Sequence, residues 1–381
     1  MQLVAMGAQD VYLTGNPQIT FFKVVYRRHT NFSKECIAQT FNGSVGFGSS
    51  VTCTLSRNGD LVQEIYLRTS ITIKSGSQAA GEPYKLNDVT KLIKTVEVEI
   101  GGQKIDKHYS QWLDIYNELF ETSHDYRYVM NSTSGTSANP AADVSVTHYI
   151  PLRFWFNRNP GLALPLIALQ YHEVKVNVTL GAETDLIGKL KDAVTEGGLT
   201  AVDTTLDSAD LLVNYLYLDT DERRRFAQVS HEYLIEQVQH TGVETAGESI
   251  DMNFNHPVKA LFWTGTLWGN VKLQLNGHDR AAEQPHNYYH LVQPYESGLG
   301  HSGKSLSNTT RAWNTVAADG DVGMYSFCLK PAEHQPSGTC NFSRIDNARL
   351  NMGGSGSVWL FAMNYNVLRI MSGMGGLAYS N

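Results

Sequence analysis

The sequence has little that would hold a chain in a membrane or direct it for secretion. Its longest apolar run, Leu162 to Leu169, is interrupted by Pro165 and is too short for a membrane-spanning helix. The opening residues, MQLVAMGAQD, contain neither a basic region nor an apolar stretch. We therefore expect no membrane span and no secretory signal.

Cysteine and charge are also scarce. The four cysteines, Cys36, Cys53, Cys328 and Cys340, form no C-x-x-C pair, which argues against a structural zinc site. We expect them to be free, buried thiols. Charged residues make up 18% of the chain, and 30 basic against 37 acidic side chains leave a net charge of −7. A nucleic-acid coat needs a basic face, so we expect no direct nucleic-acid binding.

What is abundant is the pattern of β-strands and turns. The chain has 33 Gly and 19 Tyr, a composition typical of turn-rich β proteins. Apolar and polar residues alternate in four segments, which predicts strands with one buried face; the segments are Val96–Ile100, Val174–Leu180, Val271–Leu275 and Ala348–Met352. Gly101-Gly102 and Asn276-Gly277 follow two of them and predict hairpin turns.

Few helices are predicted. The clearer one covers about His108 to Thr122 and carries a stripe of five apolar residues at helical spacing; they are Trp112, Ile115, Tyr116, Leu119 and Phe120. A second helix is predicted over Asp219 to Gln228, with Asp219 or Thr220 as its cap. We interpret its Arg223–Arg225 run as a solvated or interface face.

The chain contains an internal repeat. VEVEIGGQ begins at Val96 and VKLQLNGH at Val271, while segments starting at Tyr149 and Tyr325, and at Val174 and Ala348, have nearly the same spacing of 174 to 176 residues. The repeat predicts a duplicated β-module with a junction near residues 219–229, giving one unit over 1–222 and another over 223–381. The alternation fits a jelly roll or an immunoglobulin-type sandwich equally well.

Several long segments resemble one protein family, the major capsid proteins of large DNA viruses of algae, the chlorella-virus type. They are GAQDVYLTGNPQITFFKVVYRRHTNF at 7–32, SRNGDL at 56–61, GGQKIDKHY at 101–109, NPGLALPLIALQYHEVK at 159–175, RRFAQVSHEYLIEQ at 224–237, QPSGTCNFSRIDNA at 335–348 and NYNVLRIMSGMGGLAY at 364–379. The resemblance extends from near residue 4 to the last residue, with gaps at the loops.

This resemblance implies an all-β tandem double jelly roll of two eight-stranded antiparallel β-barrels with a few short helices. It implies a structural protein that forms a homotrimer, a pseudo-hexagonal capsomer in an icosahedral shell around a membrane and genome. The implied partners are neighbouring capsomers and minor capsid proteins under the shell, and the implied location is the virion capsid, assembled in the host cytoplasm. No enzymatic activity and no cofactor are expected.

The second half is more compact than is usual in that family, where loops carry long insertions. A minor or vertex variant of the capsid protein is therefore an alternative. A carbohydrate-binding or host-attachment protein of the virion is another, because jelly rolls also serve lectins.

One segment has the pattern of a phosphate-binding loop. Gly298 to Ser305, GLGHSGKS, satisfies G-x-x-x-x-G-K-S/T. That motif functions between a buried strand and a helix, whereas Pro294 interrupts the preceding segment and the following residues favour no helix. We therefore predict neither nucleotide binding nor catalysis.

His286 and His290 have the i, i+4 spacing of a zinc pair on a helix, but H-E-x-x-H is absent and Pro285 favours a loop or strand. We predict surface histidines near an aromatic cluster and no metal site. Among the N-x-S/T sequons, Asn131 and Asn308 lie in polar loops, and these two are the predicted glycosylation sites.

Overall fold

The computed structural model describes residues 7–74, 85–86, 89–121, 133–134, 143–186, 204–247, 249–265, 269–280, 282–299 and 321–379. Residues 7–31 form an arm that lies outside the strands and ends where the first strand begins at Phe32. Most of its large apolar side chains, including Phe21 and Phe22, are exposed. The remaining described residues fold into two similar halves.

The first half contains a five-stranded and a four-stranded antiparallel sheet and one small extra pair. Sheet A has the strand order β1 (Phe32–Gln39), β11 (Thr204–Leu218), β3 (Leu61–Ile73) and β8 (Val144–Pro151), and the short β9 (Leu164–Pro165) also pairs with β3. Sheet B has the order β2 (Ser50–Thr54), β10 (Val174–Leu180), β5 (Ile93–Ile100) and β6 (Gln103–Tyr109). The short strands β4 (Lys85–Leu86) and β7 (Thr133–Ser134) pair with each other.

The second half repeats this arrangement. Sheet C has the order β12 (His231–Thr245), β21 (Ser357–Met371), β14 (Pro257–Gly265) and β18 (Asp321–Ser326), with β19 (Cys340–Asn341) on β14 and β22 (Met374–Leu377) on β21. Sheet D has the order β13 (Ser249–Asp251), β20 (Ala348–Met352), β15 (Asn270–Leu275) and β16 (His278–Asp279), with β17 (Gln284–Pro285) on β15.

The helices are short and lie in the connections. Among the described residues, the α-helices are α1 (Val11–Thr14), α2 (Ser110–Leu119), α3 (Trp155–Arg158), α4 (Glu183–Leu186), α5 (Thr220–Gln228) and α6 (Gln293–Glu296). A π-helix, Tyr288–Val292, runs directly into α6, and 3-10 turns occupy Val89–Leu92, Pro160–Leu162 and Phe342–Arg344. Both predicted helices are present. Asp219 is the N-cap residue of α5, but its side chain makes no capping hydrogen bond.

The strand registers confirm the predicted duplication. Val98 of β5 lies opposite Val176 of β10, and Leu273 of β15 lies opposite Leu350 of β20. These are the positions that the sequence repeat makes equivalent, so the two hairpin systems correspond residue by residue. The Tyr149 and Tyr325 segments fall on the corresponding strands β8 and β18, near their ends and not at their starts, but not in the same register: Tyr149 is exposed on the outward face, whereas Tyr325 packs against the second core.

The same hairpin turn appears in both halves. Gly101 and Gly102 have φ of 58° and 84°, and Asn276 and Gly277 have φ of 52° and 74°. A two-residue turn with positive φ at both positions matches the twist of the flanking strands, and Gly and Asn adopt that conformation at the lowest cost.

Each half encloses its own apolar core between its two sheets. Ile65 and Leu67 of sheet A meet Val96 and Val98 of sheet B in the first core. The second core joins sheets C and D in the same way, with Leu261 and Leu273 among its members. Among the described strands, no ladder links the two sheets of either half, so each unit is a flattened barrel with two layers.

Candidate functional surfaces

Two apolar contacts join the halves: Ile235, Leu368 and Ile370 of sheet C pack on the first core, and the apolar stripe of α2 packs on sheet C. Trp112, Ile115 and Leu119 are buried against the face of sheet C that points away from the second core. The Trp112 ring lies 5.4 Å from the Phe262 ring in a T-shaped contact and 5.8 Å from the Phe361 ring. Aromatic pairs at these distances add to the stabilisation from apolar burial. A helix of the first half therefore forms part of the packing of the second.

Sheet C is consequently buried on both faces. In β14, Leu261 and Trp263 point into the second core, while Ala260 and Phe262 point towards α2. This explains why PVKALFWTG is apolar except for one Lys near its start and does not alternate, since a strand covered on both sides needs no polar face.

Buried charges lie beside this junction. Glu236 of β12 pairs with Lys259 of β14 and, at 2.8 Å, with Arg158 of α3, so one carboxylate serves cations from both halves. The Lys259 ammonium also donates to the carbonyl of Glu333 at 2.6 Å. Sequence reasoning missed this cluster. The available signal was a single Lys within the apolar run of β14, because a buried ammonium needs a partner.

A second polar contact ties sheet B to sheet C. The backbone N–H of Val238 donates to Asp106 Oδ1 at 3.0 Å, and the other carboxylate oxygen lies 2.9 Å from His108 Nε2. The Gln237 side-chain amide donates to the carbonyl of Ile105. The bonds from the Val238 amide and the Gln237 side chain satisfy polar groups that the contact between the halves would otherwise leave buried without partners.

The predicted surface position of His286 and His290 was wrong. Both side chains are buried, and their rings stack 6.1 Å apart where β17 leads into the π-helix. Trp263 Nε1 donates to His286 Nε2 at 3.3 Å, and burial lowers the pKa of His286 to about 4. Among the described residues no three metal-ligating side chains cluster; the contacts that the pair makes include its ring stack and the bond from Trp263.

The other predicted sites fall mainly outside the described residues. Asn131 and Asn308 lie outside them, as do Lys304 and Ser305 of the phosphate-loop pattern. Gly298 and Leu299 of that pattern are described, and they follow the helix α6 where a phosphate loop would follow a strand. All four cysteines are free, but only Cys53 and Cys328 are buried. Cys36 is exposed because its strand, β1, forms an edge of sheet A.

Two further surfaces stand out by their exposure. The π-helix and α6 present Leu291, Val292 and Tyr295 to solvent. The outward face of sheet A carries Tyr149, which is exposed, and the ion pair between Arg68 and Asp210, in which Arg68 Nε donates to Asp210 Oδ1 at 2.8 Å. Large exposed apolar side chains next to one another are typical of protein–protein contacts. None of the helices among the described residues is long and apolar enough to cross a membrane.

Comparison with known proteins gives matches along nearly the whole chain. Residues 20–219 match a family profile described as "Major capsid protein N-terminus", and residues 222–266 and 268–376 match "Large eukaryotic DNA virus major capsid protein". The chain is 55% identical over 412 residues to the major capsid protein of Pyramimonas orientalis virus, covering 100% of this chain and 99% of that protein.

Another relative is the major capsid protein of Paramecium bursaria Chlorella virus 1, which is 42% identical over 460 residues, with 100% of this chain and 99% of that protein covered. Among solved structures, a quasi-atomic model of the PBCV-1 virus capsid superposes with a TM-score of 0.77 at 37% identity, over 95% of this chain and 100% of that chain. The Faustovirus major capsid protein, at 12% identity and a TM-score of 0.71, shares the fold. These likenesses confirm the double jelly roll.

Proposed function

The chain belongs to the family of major capsid proteins of large eukaryotic DNA viruses, and from that premise we propose that three copies join into one capsomer with six jelly-roll units. The role is structural: the chain is a subunit of the virus shell. The proposed capsomers of three copies tile an icosahedral shell.

The repeated strand order and register carry this proposal. Because β5 and β15 occupy equivalent places in sheets B and D, one chain presents two units of nearly the same shape. Three such chains around a threefold axis place six similar units near the corners of a hexagon, a shape that covers a surface with few gaps. We propose the division of the chain into units at 1–222 and 223–381, which the two separate sheet pairs support.

The proposal extends to partners and place. Neighbouring capsomers and minor capsid proteins under the shell are the proposed partners, and the host cytoplasm is the proposed site of assembly. A net charge of −7 helps keep free capsomers soluble before they meet. We also propose that any attached sugar lies at Asn131 or Asn308, which peptide mapping of the virion protein would test.

The chain is proposed to have no enzymatic activity. The helix α6 before Gly298 supports this, because a phosphate loop requires a strand at that place. Magnesium-dependent ATP turnover that disappears in Lys304→Ala would contradict it.

Light scattering on the purified protein tests the trimer directly. We expect a particle of three times the 42.3 kDa chain mass. A particle of one chain mass that persists at high protein concentration, together with the absence of trimers in imaged particles, would refute the capsomer.

A further inference from the structure

We propose that copies of the chain meet through the helical segment Tyr288–Glu296 of one copy and the outward face of sheet A of the next. This contact repeats between copies what α2 does on sheet C within one chain. The inference rests on the proposed trimer and adds the surfaces that hold it together.

The two helical segments occupy equivalent places in their halves. Each follows the hairpin that the repeat makes equivalent, β5–β6 before α2 and β15–β16 before the π-helix. At the repeat spacing, Leu113 corresponds to Tyr289, and each of these side chains is buried in the core of its own half. The segments therefore lie on their own units in the same orientation.

The apolar stripe of α2 and the equivalent stripe of the Tyr288–Glu296 segment differ in what covers them. Ile115 and Leu119 are at most 1% exposed because sheet C packs on them. Their counterparts at the same spacing, Leu291 and Tyr295, are 44% and 83% exposed. The apolar stripe that is buried on α2 in the first half is therefore exposed on the Tyr288–Glu296 segment in the second half.

Sheet A offers the surface equivalent to the one that α2 covers on sheet C. On sheet C, Phe262 lies opposite Met324 on one neighbouring strand and Phe361 on the other. At the corresponding position of sheet A, Arg68 lies opposite Tyr149 and Asp210 in the same way. The Arg68 side chain is 39% exposed and Tyr149 is 51% exposed, so this face is accessible to a partner.

The chemistry of the two uncovered surfaces matches. Where α2 presents Ile115 and Leu119 to an apolar face, the second stripe presents Leu291 and Tyr295, and the face opposite carries the Arg68–Asp210 pair. Tyrosine rings stack on guanidinium groups and their hydroxyls bond carboxylates. The chain already contains such a contact, with the Arg153 guanidinium 5.1 Å from the centre of the Tyr116 ring.

The direction of the contact allows three copies to close into a ring of subunits. Within a chain, the helix of the first half covers the second half; between chains, the helix of the second half covers the first half of the next. Every contact has the same head-to-tail sense, and such contacts close into a ring when the rotation allows it. Six nearly equal contacts, three within chains and three between them, complete the capsomer.

The first test compares two double variants by light scattering over a range of protein concentrations. We expect Leu291→Ser with Tyr295→Ser to raise the concentration needed for half-maximal trimer by about 100-fold or more, because two apolar anchors are lost. The matched control, Val243→Ser with Leu329→Ser, changes two equally exposed apolar residues elsewhere in the same half. It should leave the trimer unchanged, and thermal unfolding should show both variants folded.

The second test places one cysteine on each surface. In a Cys36→Ser background, Tyr149→Cys together with Tyr295→Cys should give covalent dimers and trimers on a non-reducing gel, while Tyr149→Cys with Val243→Cys should give none. Wild-type trimers that the stripe variant leaves intact, without disulfide-linked copies, would overturn the contact and leave the trimer standing. A wild-type chain that stays monomeric would overturn both.

Discussion

At the scale of the residue, Glu236 is the most consequential buried charge in the described part of the chain. Its carboxylate compensates two cations, Lys259 and Arg158, that come from different halves. Removing one member of a buried ionic cluster costs more than the cluster contributes as a whole, because the remaining charges keep their desolvation penalty.

We therefore predict that Glu236→Gln lowers the free energy of unfolding by about 3–5 kcal/mol. Glu232→Gln is the matched control, four residues earlier on the same strand, where the carboxylate meets Arg369 at 2.8 Å on an exposed surface. That change should cost less than about 1 kcal/mol. Urea unfolding measures the free energy of unfolding of both variants. Equal losses of stability would show that a buried ion pair contributes no more than an exposed one here.

His286 predicts a loss of stability in acid. Its pKa is about 4 in the folded chain because burial penalises the charged ring, against an ordinary value of 6.5. The unfolded chain therefore binds the proton more readily, so stability is fully present above about pH 6.5 and falls as the pH drops towards 4, by about 3 kcal/mol. His148, His240 and His334 also have lowered pKa values and add to the same slope.

Replacing His286 isolates its contribution to the loss of stability in acid. His286→Gln keeps an acceptor for Trp263 Nε1 and removes the titration, so the free energy of unfolding should vary less between pH 6.5 and 4 than in the wild type. Unfolding curves across that range provide the measurement. Parallel profiles for the two proteins would assign the acid sensitivity to other groups.

At the scale of the element, the glycines of the two equivalent hairpin turns have different surroundings. Gly101 has φ of 58°, and an added Cβ would overlap the His172 ring, whereas Gly277 has φ of 74° with open space around it. His172 cannot move aside freely, because its Nδ1 accepts from the backbone N–H of Gly375 at 3.1 Å.

Alanine at these two glycines should thus have unequal effects. Gly277→Ala carries the backbone strain alone, about 1–2 kcal/mol, while Gly101→Ala adds a steric overlap of a further 1–3 kcal/mol, roughly. Thermal unfolding of the two variants tests this. Equal losses would mean that the His172 ring gives way without cost.

Local patterns predicted the elements well where a strand or helix has one covered face. The strands starting at Val96 and Val271, their turns and α2 were all predicted from short-range periodicity. The burial of both faces of β14 was not, because its second cover, α2, lies about 150 residues earlier in the chain. The buried position of His286 was missed for the same reason: Trp263 and the π-helix surround it only after the second half has folded.

At the scale of the whole molecule, α2 is one of two apolar contacts that couple the halves, the other being the packing of Ile235, Leu368 and Ile370 on the first core. Trp112 is 1% exposed and touches Phe262 and Phe361 of sheet C. Trp112→Ala should lower the free energy of unfolding by about 3–5 kcal/mol, as truncation of large buried side chains does. Gln111→Ala on the same helix should change it by less than about 0.5 kcal/mol.

Calorimetry adds a readout that general destabilisation does not give. The wild-type chain should unfold in one transition, and Trp112→Ala should separate it into two, one for each half, because the apolar coupling is weakened. A single transition that merely shifts to lower temperature would indicate that the remaining contacts, the packing of Ile235 and Leu368 on the first core and the polar contacts around Asp106 and Glu236, couple the halves without Trp112.

The way in which the halves are joined also has a mechanical consequence. Inside each half, strands are held by ladders of hydrogen bonds, which resist stretching along the bond direction. Between the halves, among the described strands, no ladder crosses, and the junction consists mainly of side-chain contacts: the α2 stripe, the packing of Ile235, Leu368 and Ile370 on the first core, and several polar bonds. Apolar contacts are non-directional and allow small sliding displacements. A shell built of such subunits would therefore yield under indentation first along the seam between the two units of each chain, so that its elasticity depends on the helix as much as on the strands.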